Sequence, residues 1–161
     1  MDIVPTNPHQ HCRYVARGSS LYPAEPLAAA RVDALLDQEG DAFTGKGVVS
    51  YKARFGFGFL AKEENAALLD EADAAIWGEI LPRHLQHLTA LLKAGGTQWL
   101  AGTAGPTIAD FYWAASLESL QAAWPEKKAG RELADDFPEL AALLARFNRL
   151  ASVAAYYAAR A

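Results

Sequence analysis

The stretch Trp99-Leu100-Ala101-Gly102-Thr103-Ala104-Gly105-Pro106-Thr107-Ile108-Ala109-Asp110-Phe111 decides how this chain is read. Thr107 stands three residues before an acid and just ahead of an apolar run, the signature of a capping box. In that arrangement the Thr107 hydroxyl accepts from the backbone N–H of Asp110, and the Asp110 carboxylate accepts from the N–H of Thr107. Two donors that a helix start would leave without partners are satisfied together, and one such cap is worth roughly 1 kcal/mol. Thr107 and Asp110 are therefore expected to be a structural helix cap. Beyond them Ile108, Phe111, Trp113, Ala115, Leu117 and Leu120 leave little polar face, so this helix is expected to be the buried centre of the fold. Trp99 and Trp113, beside it and in it, are expected in the core.

Outward from that centre the chain reads as helical. From Glu63 to Lys93 the positions Leu68, Leu69, Ala72, Ile76, Ile80, Leu85, Leu88, Leu91 and Leu92 keep a helical period. Pro82 is expected to kink this run, and Gly95-Gly96 to end it. An earlier helix starts at Glu25-Pro26, with Leu27, Ala30, Ala34, Leu35 and Gln38 marking one face; Gly40, Gly45 and Gly47 are expected to bend or break it, each glycine costing about 1 kcal/mol relative to alanine. Asn7-Pro8 reads as cap and first position of a short helix through Cys12, Tyr14 and Val15, stopped by Gly18. Trp124-Pro125 to Asp135 reads as a polar connection, after which Asp136 is expected to cap a helix carrying Leu140, Leu143, Leu144, Phe147 and Leu150. Ser152 is expected to cap a last one through Tyr156 and Tyr157. Phe55-Gly56-Phe57-Gly58-Phe59 has aromatics at period two but no second strand to pair with, and is expected to be a loop. With Tyr51 it forms an apolar segment that is either mobile or docked onto something. The fold class is all-α.

Composition sets the outer limits. A chain of 161 residues, 52% hydrophobic and 21% charged, is one domain's worth with enough apolar material to close a core. A net charge of −4 with scattered basic residues gives no footprint for nucleic acid or an anionic membrane. No run approaches the ~18 apolar residues of a membrane span, so an integral membrane protein is not expected, and the first residues are too polar for a secretory signal. The single cysteine, Cys12, excludes an internal disulfide and fits a reducing, intracellular address, cytoplasmic or organellar.

Metal and nucleophile candidates are sparse. His84 and His87 are three apart on a helix, but no third ligand stands at matching spacing, and a solvated polar stripe is expected there. His9, His11 and Cys12 do not converge on one tetrahedron from a single helix. No metal and no resident cofactor are expected. Cys12 is either a thiol slightly acidified by a helix start or a small buried hydrophobe.

In their order these landmarks resemble the cytosolic glutathione transferases, in particular the pi and sigma type classes. Arg13-Tyr14-Val15-Ala16-Arg17 with Leu21-Tyr22 resembles the last helix of the family's thioredoxin-like first domain and the linker out of it. Ala29-Ala30-Arg31-Val32-Asp33, with Asp37 and Asp41, resembles the first long helix of the all-α second domain. Leu81-Pro82 through Leu91-Leu92, Trp99 to Phe111, Phe137-Pro138-Glu139-Leu140 with Arg146, then Val153 and Tyr156, complete the order. The resemblance implies residues 1–22 as a remnant of the thioredoxin-like domain and 23–161 as a helical bundle around a buried central helix.

It also implies what is missing. In the family, glutathione is held mainly by the thioredoxin-like domain, whose tyrosine, serine or cysteine favours the thiolate; this chain begins after it, and the glutamine-serine pair of the preserved helix falls at Asn7 and Pro8. A thiol with an ordinary pKa near 8.5 is only a few per cent ionised at neutral pH, so conjugation by this chain alone is not expected. Asp41 is similar to the aspartate that reaches across the family's dimer toward the α-amino group of glutathione, a charge-assisted contact. Tyr51 is similar to the tyrosine of the second-substrate pocket. Two functions are compatible with this: a non-catalytic binding or assembly subunit of a larger complex, or a fragment of a transferase that conjugates glutathione to electrophiles. The helix from Cys12 to Arg17 normally packs on the absent sheet, and at ~25 cal/mol per Å² a few hundred Å² left uncovered costs several kcal/mol. A protein partner over that face, or a homodimer, is therefore expected, with glutathione as the possible ligand.

Overall fold

Pro8 and Gly18 bracket the first helix as the punctuation of the sequence requires. In a computed structural model that describes residues 8–55 and 66–160, α1 spans Pro8–Ala16, and Gly18 takes the left-handed φ of +87° that ends it. The α2 helix, Pro26–Phe55, starts on Glu25, whose carboxylate accepts from the N–H of Leu27 at 2.9 Å and of Ala28 at 2.6 Å. These two bonds, ahead of the charge of Arg31, hold the Glu25 carboxyl below the ordinary range.

Two expectations about α2 are corrected. The helix runs unbroken through Gly40, Gly45 and Gly47; at Gly45 a Cβ would stand 3.4 Å from the Ile76 side chain, so tertiary packing outweighs the intrinsic cost of glycine. The buried row is Val32, Leu35, Leu36, Glu39 and Ala42, whereas Leu27, Ala30 and Ala34 are exposed. Alanines set the expected stripe, and the bulkier Val32 and Leu36 decide which side faces inward.

The long run before Gly95 is helical but has three parts: α3 (Ala66–Ala75), a π-helical turn (Ile76–Ile80) and α4 (Leu81–Ala94). Pro82, in the first turn of α4, has no N–H to donate, and the wide turn ahead of it takes up the irregularity. Within this turn Ile76 and Trp77 are both buried. Leu81, Leu85, Leu88 and Leu92 then line the inner side of α4. Past α4 the chain turns back on itself where Gly95 meets Gly102: a Cβ on Gly95 would lie 3.1 Å from the Gly102 Cα, and Gly102 has φ +70°.

The central helix is α5 (Ile108–Lys127), which packs against α2 and α7 and buries Trp113, Leu117, Leu120 and Trp124. It continues through Trp124-Pro125, so the polar connection begins later than expected. Trp124 stands edge-on to Trp77 and Phe137, with centroids 5.8 and 5.7 Å away. Next come α6 (Leu133–Asp136), α7 (Pro138–Asn148) and α8 (Ala151–Ala158). Asp136 does not cap α7; it ends α6 and accepts from Trp124 Nε1 at 2.9 Å and from Arg131, while Pro138 sets the start of α7 behind a buried Phe137. Ser152 lies inside α8, whose N-cap position is Leu150. No strand occurs among the described residues. Phe55 closes α2, and the rest of the Phe-Gly run, residues 56–59, lies outside the described residues.

Candidate functional site

The Thr107–Asp110 box is a junction rather than a simple cap. Both arms are present, and Asp110 is 1% exposed. Its Oδ2 accepts from the Thr107 N–H at 2.7 Å and from the Thr107 hydroxyl at 3.0 Å, while Oδ1 accepts from the N–H of Leu100 at 2.9 Å. Burial pushes the carboxyl above the ordinary range, against the lowering effect of those bonds. The tie to Leu100 explains why Trp99-Leu100-Ala101-Gly102 accompanies the cap: one side chain closes the start of α5 and pins the loop before it.

A second junction joins α1, α2 and the linker between them. The Arg13 guanidinium donates to Asp33 Oδ1 at 2.6 Å, to Asp37 Oδ1 at 2.7 Å and to the Asp33 carbonyl at 3.1 Å, and the Tyr22 hydroxyl donates to Asp33 Oδ2 at 2.9 Å. Of the three acids spaced by four on α2, Asp33 and Asp37 thus fasten α1 and the linker, and Asp41 remains exposed. Replacing Arg13 by methionine is expected to loosen α1 by roughly 1–2 kcal/mol, the exposure of Asp37 discounting the full value of charged hydrogen bonds. Hydrogen exchange should then accelerate in α1 and leave the amides of α5 unchanged.

Between α2 and α5 lies a polar pair that the sequence hardly signals. Glu39 is buried on α2, and Ser116 of α5 donates its hydroxyl to Glu39 Oε1 at 2.5 Å. Tyr112 is close enough that burial first, then the charge of Glu39, then Cys12, raise its phenol above the usual value. Burial also raises the Cys12 thiol, and the side chain is half-buried against the core. That packing and the raised thiol accord with the reading of Cys12 as a small hydrophobe. The one signal in sequence was a glutamate four residues after Leu35 on an apolar face.

Asp41 and Tyr51 are both exposed on α2, Tyr51 by 57% with the Lys52 ammonium 5.4 Å from its ring centroid. Ten residues of helix separate them by about 15 Å along the axis, so the fold does not bring them together. Among the described residues no three of His, Cys, Asp and Glu gather closely enough to hold a metal ion. His87 instead lines an open groove of about 630 Å³ between α2 and α4, with Arg31, Ala34, Gln38 and Leu91. A smaller groove of about 350 Å³ lies between α5, α7 and α8, walled by Phe111, Phe147, Val153 and Tyr156. On α1, Tyr14 and Val15 are 74% and 78% exposed. No described helix is long and apolar enough to cross a membrane.

Residues 55–160 match the family model described as Glutathione S-transferase, C-terminal domain. No curated protein sequence matches the chain. Among solved structures the chain is similar to rat hPGDS complexed with a quinoline, with a TM-score of 0.67 and 23% identity over 90% of this chain and 62% of that one. It is also similar to NaGST-2, with a TM-score of 0.65 and 19% identity over 98% of this chain and 69% of that one. At such identities the likeness is one of fold, and this chain spans less than two thirds of the length of the rat protein.

Proposed function

The chain belongs to the glutathione S-transferase C-terminal domain family, and on that premise we propose that these 161 residues act as a binding or assembly unit of a larger complex rather than as a self-sufficient catalyst. In this reading residues 1–22 correspond to the last helix and linker of a thioredoxin-like half, and 23–161 to the helical half. The observation that carries it is α1. Tyr14 and Val15, neighbours on a nine-residue helix, turn large apolar groups outward, while the same helix is fastened on its other side through Arg13. Surface so placed is covered when another polypeptide, or a further domain of a longer chain, packs on it.

The chemistry supports the same reading. Burial raises the pKa of the single thiol, and the residues most similar to functional ones, Asp41 and Tyr51, stand apart on an open helix face. A second reading, a part of a transferase that conjugates glutathione to electrophiles, is favoured by the fold similarity to NaGST-2. There Asp41 would meet the α-amino group of glutathione and Tyr51 the electrophile, with thiol activation supplied by residues beyond these.

The two readings separate in one set of assays on the 161-residue chain. Conjugation of a generic aromatic electrophile is expected to proceed at the uncatalysed rate, and glutathione to bind no tighter than about 1 mM, since that affinity already represents ~4 kcal/mol and one charged contact supplies less. A rate clearly above background would overturn the assembly reading. A photo-crosslinker at Tyr14 is expected to capture one defined companion in cells, and the same group at exposed Leu68 is not; equal capture at both sites would count against α1 as the covered face.

A further inference from the structure

We propose that the groove between α5, α7 and α8 is a binding site for a small organic cation, an ammonium group carried on one aromatic ring. This is independent of the assembly reading, which rests on α1. On α5 the groove takes Phe111, Ala114, Ala115 and Glu118, a flank of the helix turned away from Tyr112 and Ser116, so it is separate from the polar pair at Glu39. Phe111 meets Phe147 of α7 edge-on, with centroids 4.8 Å apart. Phe147 and Val153 are buried beneath the groove, whereas Tyr156 and Tyr157 stand at its rim, 51% and 46% exposed. Its volume of about 350 Å³ falls at the small end of the ~300–1,000 Å³ of ligand sites, room for one ring and a short arm.

Charge decides which ligand fits. Of the described residues that line the groove, Glu118 alone is charged. It takes part in no ion pair among the described residues. Its Oε2 accepts from the Tyr157 hydroxyl at 3.2 Å, and its Oε1 has no partner among them. That bond first, then the charge of Glu118, raises the Tyr157 phenol, which therefore keeps its proton at neutral pH and donates it to the carboxylate. The rings around Glu118 add to its pull, because an aromatic face attracts a cation held within ~6 Å of its centroid. The chain makes one such contact itself: the Arg160 guanidinium lies 4.2 Å from the centroid of Tyr156. Arg160 does not line the groove, and Glu118 and the remaining rings are left for a cation from outside. An anion of the same shape is repelled by Glu118, and a neutral ring gains the packing alone.

The test is an NMR titration of the full 161-residue chain with benzyltrimethylammonium, benzyl alcohol and phenylacetate, read on the methyl signals of Ala114 and Val153. The cation is expected to bind saturably in the low-millimolar range or below, at least tenfold tighter than the alcohol, with phenylacetate weaker still. Its affinity should fall as salt rises, since Glu118 is exposed. Glu118→Gln, a surface change that circular dichroism should show to leave the helices intact, is expected to weaken the cation at least threefold and leave benzyl alcohol unchanged. Arg160→Ala, which removes a competing cation from Tyr156, is expected to tighten it. The proposal is overturned by a cation that binds no tighter than the alcohol, by a Glu118→Gln variant that binds it as well as the wild type, or by shifts confined to the groove around Ala34 and Leu91.

Discussion

Replacement of Asp110 by alanine is expected to destabilise the protein by roughly 3–5 kcal/mol, because it strips acceptors from two backbone N–H groups and one hydroxyl at a site that water does not reach. Each orphaned buried donor costs about 1–3 kcal/mol, and the carboxylate serves the N–H groups of Thr107 and Leu100 together with the Thr107 hydroxyl. An ordinary N-cap loss of about 1 kcal/mol describes only the Thr107 arm. The excess belongs to Leu100, ten residues upstream, whose loop this bond ties to the start of α5. Urea denaturation followed by circular dichroism measures the difference, and the melting temperature should fall by about 10 °C or more for a chain of this size. Asp110→Asn keeps one carbonyl oxygen but turns an NH₂ toward other N–H groups, so about half the loss is expected. A cost below about 1 kcal/mol for the alanine variant would show that the Leu100 bond carries no weight, and that the box is an ordinary cap.

The second large effect belongs to Trp113. Its side chain has no solvent exposure, its indole Nε1 donates to the carbonyl of Leu35 at 2.9 Å, and its ring stands edge-on to Phe43 at 6.1 Å. Truncation to alanine removes a buried aromatic, worth about 3–5 kcal/mol, and leaves the Leu35 carbonyl without this partner, so the total approaches the whole stability of a typical domain. The variant is expected to lose dispersed NMR signals and cooperative melting while keeping much of its helicity. Trp113→Phe separates the two contributions, since it preserves most of the packing and removes the indole donor; a loss of about 2 kcal/mol is expected. A cooperative alanine variant with a near-native melting temperature would mean that α2 and α5 are held together elsewhere.

The two sites also show how much the sequence discloses. The cap is legible because its donors and acceptors lie three residues apart, and the central position of α5 because its apolar residues leave almost no polar side. The bond from Asp110 to Leu100 and the pair Ser116–Glu39, 77 residues apart, are not legible, since nothing local distinguishes a serine that faces a glutamate from one that faces water. The starts of α7 and α8 depart from expectation for a related reason: Asp136 and Ser152 have good capping side chains, but Asp136 is engaged by Trp124 and Arg131, and Pro138 fixes the helix start on its own. The glycines of α2 mislead because propensity acts per residue, whereas α2 is held along its length by α3, α4 and α5. Asp41 and Tyr51 are both exposed on α2, ten residues apart, and exposure alone gives neither of them a role.

The π-helical turn at Ile76–Ile80 has a consequence for the whole second half of the chain. It stores one surplus residue, and that surplus fixes the angular phase of α4, because each residue added to or removed from an α-helix turns the remainder of the helix by about 100°. A homologue one residue shorter at this point, running as plain α-helix, would present α4 to the core rotated by about 100° relative to α3. The wide turn therefore works as a phase adjuster: behind the buried Ile76 and Trp77, Leu81, Leu85, Leu88 and Leu92 arrive facing the same core.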